Sequence, residues 1–209
     1  MHLKKEINKA HWLKQTLKIP EYDYGLIFGS LRYLLYQAIV SYIMWFLAEE
    51  WSVSGSKRVV FLLPVIVFYI IGLLTAGKFT GPKKTNLVFV VLGFSLICLG
   101  SAAIFYISES RNSLLLISML AVVSLGFGFA HNTLTTAMVG NLPEDNKGSA
   151  LGFAMTVNYA CIIVAPLMMS ESAARWGPAV PFMVVAVFSL VVSFLALLFG
   201  LKFLLRVEG

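Results

Sequence analysis

Between residues 24 and 48 a single charged side chain, Arg32, interrupts an otherwise uncharged and largely apolar stretch. Gly25, Gly29, Arg32 and Tyr36 recur at three- and four-residue spacing. On a helix turning 100° per residue they fall within about 60° of one another, with Tyr33 and Gln37 at the edge of the same face. Glycines leave room, phenols offer hydrogen bonds, and a guanidinium holds an anionic group through paired N–H donors. Such a face suits recognition of a solute in a lined cavity. The same residues also fit an arginine that snorkels, since Arg32 lies only about 12 Å along a helix starting at residue 24.

A second polar face recurs at Ser124, Gly128, His131 and Thr135, with Asn132 and Thr136 beside it. An imidazole titrates near neutral pH, which makes His131 the proton-coupling candidate. The alternative is a hydrogen bond donated across a helix contact. Asn158 and Tyr159 are the polar candidates further along, where Gly148, Gly152, Thr156, Tyr159 and Pro166 share a face and Asn158 is displaced from it by about 100°. Small residues at that spacing favour close helix packing. Pro64 and Pro166 are expected to kink their helices, and Ser101-Ala102-Ala103 and the last apolar segment read as lipid-facing.

The chemistry stops there. The chain has no Gly-x-Ser-x-Gly elbow, His-Glu-x-x-His pair or phosphate loop, and no acidic residue between Glu50 and Glu109 or between Asp145 and Glu171. An enzyme is not expected, nor a metal or cofactor. Cys98 and Cys161 sit in apolar runs as small buried hydrophobes.

The elements that carry these faces follow from composition. Of 209 residues 12% are charged and 59% hydrophobic, with a mean hydropathy of +0.85. So few charges cannot cover a water-facing surface, so lipid must solvate most of the chain. Six nearly uncharged stretches predict membrane-spanning helices at about 24–48, 58–77, 86–107, 113–139, 149–171 and 178–204, each of the roughly 20 residues a span needs. Residues 1–20 form a separate segment. Leu3, Ile7, Ala10, Leu13 and Leu17 recur at helical spacing, which predicts an amphipathic helix on the cytoplasmic leaflet or, failing that, a frayed basic tail.

Short connectors make alternate loops share a side of the membrane. One side collects Lys4, Lys5, Lys9, Lys14, Lys18, Lys78, Lys83, Lys84, Lys147, Lys202 and Arg206, the other only Lys57, Arg58, Arg111 and Arg175. The positive-inside rule then puts both termini in the cytoplasm of a plasma (inner) membrane protein. The net charge of +6 needs no nucleic acid to explain it.

The turn after the second helix, Gly72-Leu-Leu-Thr-Ala-Gly77-Lys78-Phe-Thr-Gly81-Pro82-Lys83-Lys84, resembles the cytoplasmic loop signature of the major facilitator superfamily, without its acidic residue. The run Gly126-Phe-Gly128-Phe-Ala-His131-Asn132, the loop from Asn141 through Pro143, Glu144, Asp145 and Lys147 to Gly152, and then Asn158 and Pro166 resemble that family's tenth-to-eleventh helix connection. The resemblance implies an all-α integral membrane fold: half of a major-facilitator bundle, most like the C-terminal half, preceded by the short amphipathic helix. With the polar and aromatic faces read above, it leads to a small organic solute, anionic or amphipathic, expected to be bound by Arg32, Tyr33, Tyr36, Gln37, His131, Asn132, Thr135, Asn158 and Tyr159. The first and fourth helices of the family line its cavity. The implied partner is a second six-helix half, supplied as a separate chain, a missing segment or a second copy. A scaffold or assembly factor with the same fold and no transport is the alternative.

Overall fold

A computed structural model describes residues 16–79 and 83–207, with side chains described except at 83–85 and 203–207. Its helices are α1 (Pro20–Glu49), α2 (Gly55–Phe79), α3 (Lys83–Ile107), α4 (Ser113–Gly140), α5 (Glu144–Trp176) and α6 (Val180–Val207). All six are long and apolar enough to cross a membrane. The first five expected spans each fall inside one of them, and the sixth, expected from 178, starts two residues later at Val180. The amphipathic segment expected over 1–20 lies, apart from residues 16–20, outside the described residues, as does the Gly81-Pro82 turn.

The helix ends obey local chemistry. Pro20 starts α1, where a missing N–H costs nothing, and Glu21 and Asp23 fill a first turn that favours anions. Asn112 caps α4 by accepting the Leu115 N–H at 3.1 Å. Glu144 and Asp145 open α5, and Gly177, at φ 106°, closes it. A 3₁₀ turn over Ser108–Ser110, followed by Arg111 at φ 48°, turns α3 into α4.

The packing is two layers. α2, α4, α1 and α5 stand side by side in that order, and α3 and α6 lie behind, α3 against α4 and α6 against α1 and α3. Exchanging α1 with α4, α2 with α5 and α3 with α6 carries these main contacts onto one another, although the contact between α5 and α6 has no comparable counterpart between α2 and α3. The bundle is therefore two three-helix units, and because three spans is an odd number the second unit is inverted relative to the first.

The packing is tighter on one side of the bundle than on the other. A methyl group on Gly72 would come 2.6 Å from the Leu125 carbonyl oxygen, and one on Gly93 2.7 Å from that of Gly126. Backbones touch there, so α2, α3 and α4 form one tight block. In α5, Gly148 and Gly152 face open space, and Tyr159 is 63% exposed. The close packing expected of that α5 face is thus found on α2, α3 and α4 instead, and α5 leans chiefly on α1. The lipid-facing expectation for Ser101 is also corrected: it is fully buried in the core, as are Phe182, Val185 and Ala196 on the inner face of α6. The outer faces of α2 (Leu63, Ile66, Ile70, Leu74) and α5 (Ile163, Leu167) remain exposed and apolar.

Candidate functional site

Helix α1 begins at Pro20, four residues earlier than the apolar stretch suggested, so Arg32 lies about 18 Å into it rather than 12 Å. Its side chain is 4% exposed. Snorkelling does not describe that burial. The guanidinium is within hydrogen-bonding reach of the Tyr69 hydroxyl on α2 and faces Tyr33 and Tyr36, with the Tyr33 ring centroid 5.7 Å from Cζ. Among the described residues no carboxylate pairs with it. The ion pairs Lys147–Glu144 and Arg175–Glu171 lie on exposed surface.

Arg32 and Tyr33 border a cavity of about 110 Å³ between α1, α4 and α5. Gly29 and Ser30 complete the α1 wall, His131 and Thr135 come from α4, and Asn158 comes from α5. A Cβ on Gly29 would meet nothing within 4 Å, so the missing side chain is what makes the space. Four buried side-chain polar atoms among the described residues lack a hydrogen bond, and three of them belong to this lining: Ser30 Oγ, His131 Nδ1 and Asn158 Oδ1. Native proteins leave few such atoms unpaired, because each costs about 1–3 kcal/mol. Their concentration around one buried cation sets this cavity apart from the apolar groove at the other end of α1 and α5.

Behind Arg32 an aromatic wall fixes its position. Tyr36 packs against Tyr69 at 5.7 Å and edge-on to Phe127 at 5.4 Å, while Tyr69 stands edge-on to His131 at 5.9 Å. Tyr69 was not among the residues singled out from the sequence. It sits in the run Val65-Ile-Val-Phe-Tyr69-Ile-Ile, where nothing polar draws attention. The available signal was its spacing from Gly72 and Ala76, both of them buried.

Of the residues singled out, the structure brings Arg32, Tyr33, His131, Thr135 and Asn158 to one cavity, with Tyr36 behind them. The others go elsewhere. Asn132 Nδ2 donates to the Leu73 carbonyl at 3.2 Å and ties α4 to α2. Gln37 lies a turn further along α1, outside the lining, and Tyr159 points away on the exposed side of α5. Ser124 and Gly128, read as part of the α4 face, are packing groups: Ser124 donates to Leu120 at 2.7 Å, and Gly128 touches the α2 backbone at Tyr69 and Gly72.

Toward the start of α1, contacts tie that helix to the end of α4 and the start of α5. The Tyr22 hydroxyl donates to the Ala150 carbonyl at 3.1 Å, and Tyr22 is packed with Met138, Leu142, Ala150 and Ala154. Asn141 Nδ2 donates to Glu21 Oε1 at 2.8 Å over the same end. A larger groove of about 510 Å³ lies at the opposite end of α1 and α5, among Tyr42, Trp45, Pro166 and Met169. It is mostly apolar, and none of the unpaired polar groups lines it. Among the described residues no three His, Cys, Asp or Glu side chains group to hold a metal ion, and both cysteines are free thiols.

Residues 5–166 match the family model described as Major Facilitator Superfamily. No curated protein and no solved structure matches the chain.

Proposed function

This chain belongs to the major facilitator superfamily, a superfamily of transporters, and on that premise we propose that it is a six-helix half of a secondary active transporter that moves a small organic solute by alternating access. The observation that carries the reading is the Arg32 cavity. Among the described residues, a buried cation without a carboxylate, three unpaired polar atoms and an open glycine wall meet at the junction of α1, α4 and α5. Transporters of this kind place their site near mid-membrane at the interface of repeats.

The partner in this reading is a second six-helix half. The exposed apolar flanks of α2 and α5, at the two ends of the front row, support it, because together they frame the face on which the cavity lies. His131 is the proton-coupling candidate, since it lines the cavity and its Nδ1 has no other partner. Lysine placement supports a plasma (inner) membrane location with cytoplasmic termini.

Uptake by proteoliposomes of the full chain tests the assignment. Candidate solutes should accumulate with wild type and not with an Arg32→Ala, His131→Ala double variant. Equal accumulation would remove the site. Stable purification with non-transport subunits and no response to any solute would favour a scaffold instead.

A further inference from the structure

Glycines let two helices come close without choosing how far one is turned or slid along the other. The seam between α2 and α4 is of that kind at Gly72 and Gly128. A methyl on Gly128 would come 2.8 Å from Gly72 Cα, and one on Gly72 would come 3.0 Å from Gly128 Cα. Yet the site needs one register there. Tyr69 on α2 stands edge-on to His131 on α4 and reaches Arg32 with its hydroxyl. Turning α4 by a fraction of the 100° that separates neighbours would take the imidazole off that ring.

One turn beyond Gly128 on α4 is Asn132, and one turn beyond Tyr69 on α2 is Leu73. Asn132 Nδ2 donates to the Leu73 carbonyl oxygen at 3.2 Å. In an α-helix that carbonyl already accepts the Gly77 N–H, and its second lone pair takes the amide. Gly77 is the third member. Among the described residues, the atoms that a Cβ on Gly77 would meet within 4 Å both belong to Asn132: Nδ2 at 2.7 Å and Cγ at 3.8 Å. Glycine weakens a helix interior relative to alanine, and here its missing side chain makes room for the amide. A directional bond seated in a fitted notch selects the register that Gly72 and Gly128 leave open. His131 is the neighbour of Asn132, so fixing one against α2 fixes the other toward Tyr69 and the cavity.

We propose that Asn132 is a positioning residue for the cavity: seated over Gly77 on the Leu73 carbonyl, it sets the rotation of α4 against α2 that holds His131 beside Tyr69. Its importance for transport rests on the reading of the cavity given above. The contact itself depends neither on what the cavity binds nor on what covers it.

Nuclear magnetic resonance of ring-labelled histidine in the full chain, held in lipid nanodiscs, reads the imidazole directly. The chain has three histidines, and the signal lost in His131→Gln identifies the one in the site. Asn132→Leu keeps the bulk and loses the donor, so the His131 signal should move by more than its linewidth. Gly77→Ala, on the other helix, pushes the amide off its seat and should move it too. Either variant suffices if the other does not fold. In an Asn132→Ala background Gly77→Ala should add nothing, because the methyl then has room. Ser193→Ala controls for the loss of any interhelix bond, since the Ser193 hydroxyl donates to the Val91 carbonyl at 3.2 Å between α6 and α3. It should leave the His131 signal in place, whatever it does to the melting temperature.

An unmoved His131 signal in Asn132→Leu and Gly77→Ala overturns the proposal and leaves the transport reading untouched. So does an equal shift from Gly77→Ala with and without Asn132, or the same shift from Ser193→Ala. Signals that move as expected, in a chain whose sealed vesicles accumulate none of the candidate solutes, uphold the role of Asn132 while failing the transport reading.

Discussion

The hydroxyl of Tyr22, in the first turn of α1, donates a 3.1 Å hydrogen bond to the carbonyl oxygen of Ala150, two turns into α5. It ties the start of α5 to the start of α1. Tyr22→Phe should lower stability by about 1 kcal/mol, the net worth of one hydrogen bond. Tyr22→Ala also removes a ring packed among Met138, Leu142, Ala150 and Ala154 and should cost about 3–5 kcal/mol. Reversible unfolding of the purified protein in detergent measures both. Equal losses would mean that packing contributes nothing beyond the hydroxyl.

Tyr69 reaches Arg32 from α2, so the hydroxyl positions the guanidinium without lining the cavity itself. Tyr69→Phe keeps the ring against Tyr36 and His131 and removes only that contact. The variant should fold normally and raise the KM for solute about two- to tenfold, with kcat nearly unchanged, from a loss of about 0.5–1.5 kcal/mol. Uptake kinetics in vesicles check it. A drop in kcat with KM unchanged would contradict a positioning role.

Glycine contacts divide the bundle into a rigid part and a loose one. Gly72→Ala forces a methyl against the Leu125 carbonyl and should destabilise the protein by about 1–3 kcal/mol. Gly152→Ala meets nothing within 4 Å and should be neutral or slightly stabilising. Amide hydrogen exchange should be faster along α5 than along α4, because α5 buries far less of its surface. Equal protection of the two helices would contradict the division.

Thiol labelling of intact cells tests the orientation. In a background with Cys98 and Cys161 replaced by serine, Ser56→Cys, in the exposed first turn of α2, should react with an impermeant reagent added outside. Asp145→Cys, at the exposed start of α5, should react only after the cells are opened. The reverse pattern would turn the chain over in the membrane.

The six spans were legible because uninterrupted apolar length is a demand of lipid, and every expected segment is a helix of the structure. The cavity was partly legible for a related reason. A charge or imidazole inside such a run has to face something, and Arg32 and His131 face each other's surroundings across the α1–α4 contact. Direction around the helix axis was harder to read. Asn132 follows His131 in sequence, yet a 100° step turns it to α2 and a backbone carbonyl. Gly148 and Gly152 have the spacing of a packing face, but small residues permit contact without causing it, and α5 presents them to open space. Tyr69 could not be found from its own helix, because what gives it a role is an arginine 37 positions earlier in the chain.

The central claim is that the space beside Gly29 is where solute binds. The direct measurement is accumulation of labelled solute by sealed vesicles bearing Gly29→Leu or Gly152→Leu. Both glycines have open space for a side chain, so both variants should fold, but only the first fills the cavity. The account predicts that Gly29→Leu stops accumulation while Gly152→Leu transports like wild type. Undiminished accumulation by Gly29→Leu would contradict it.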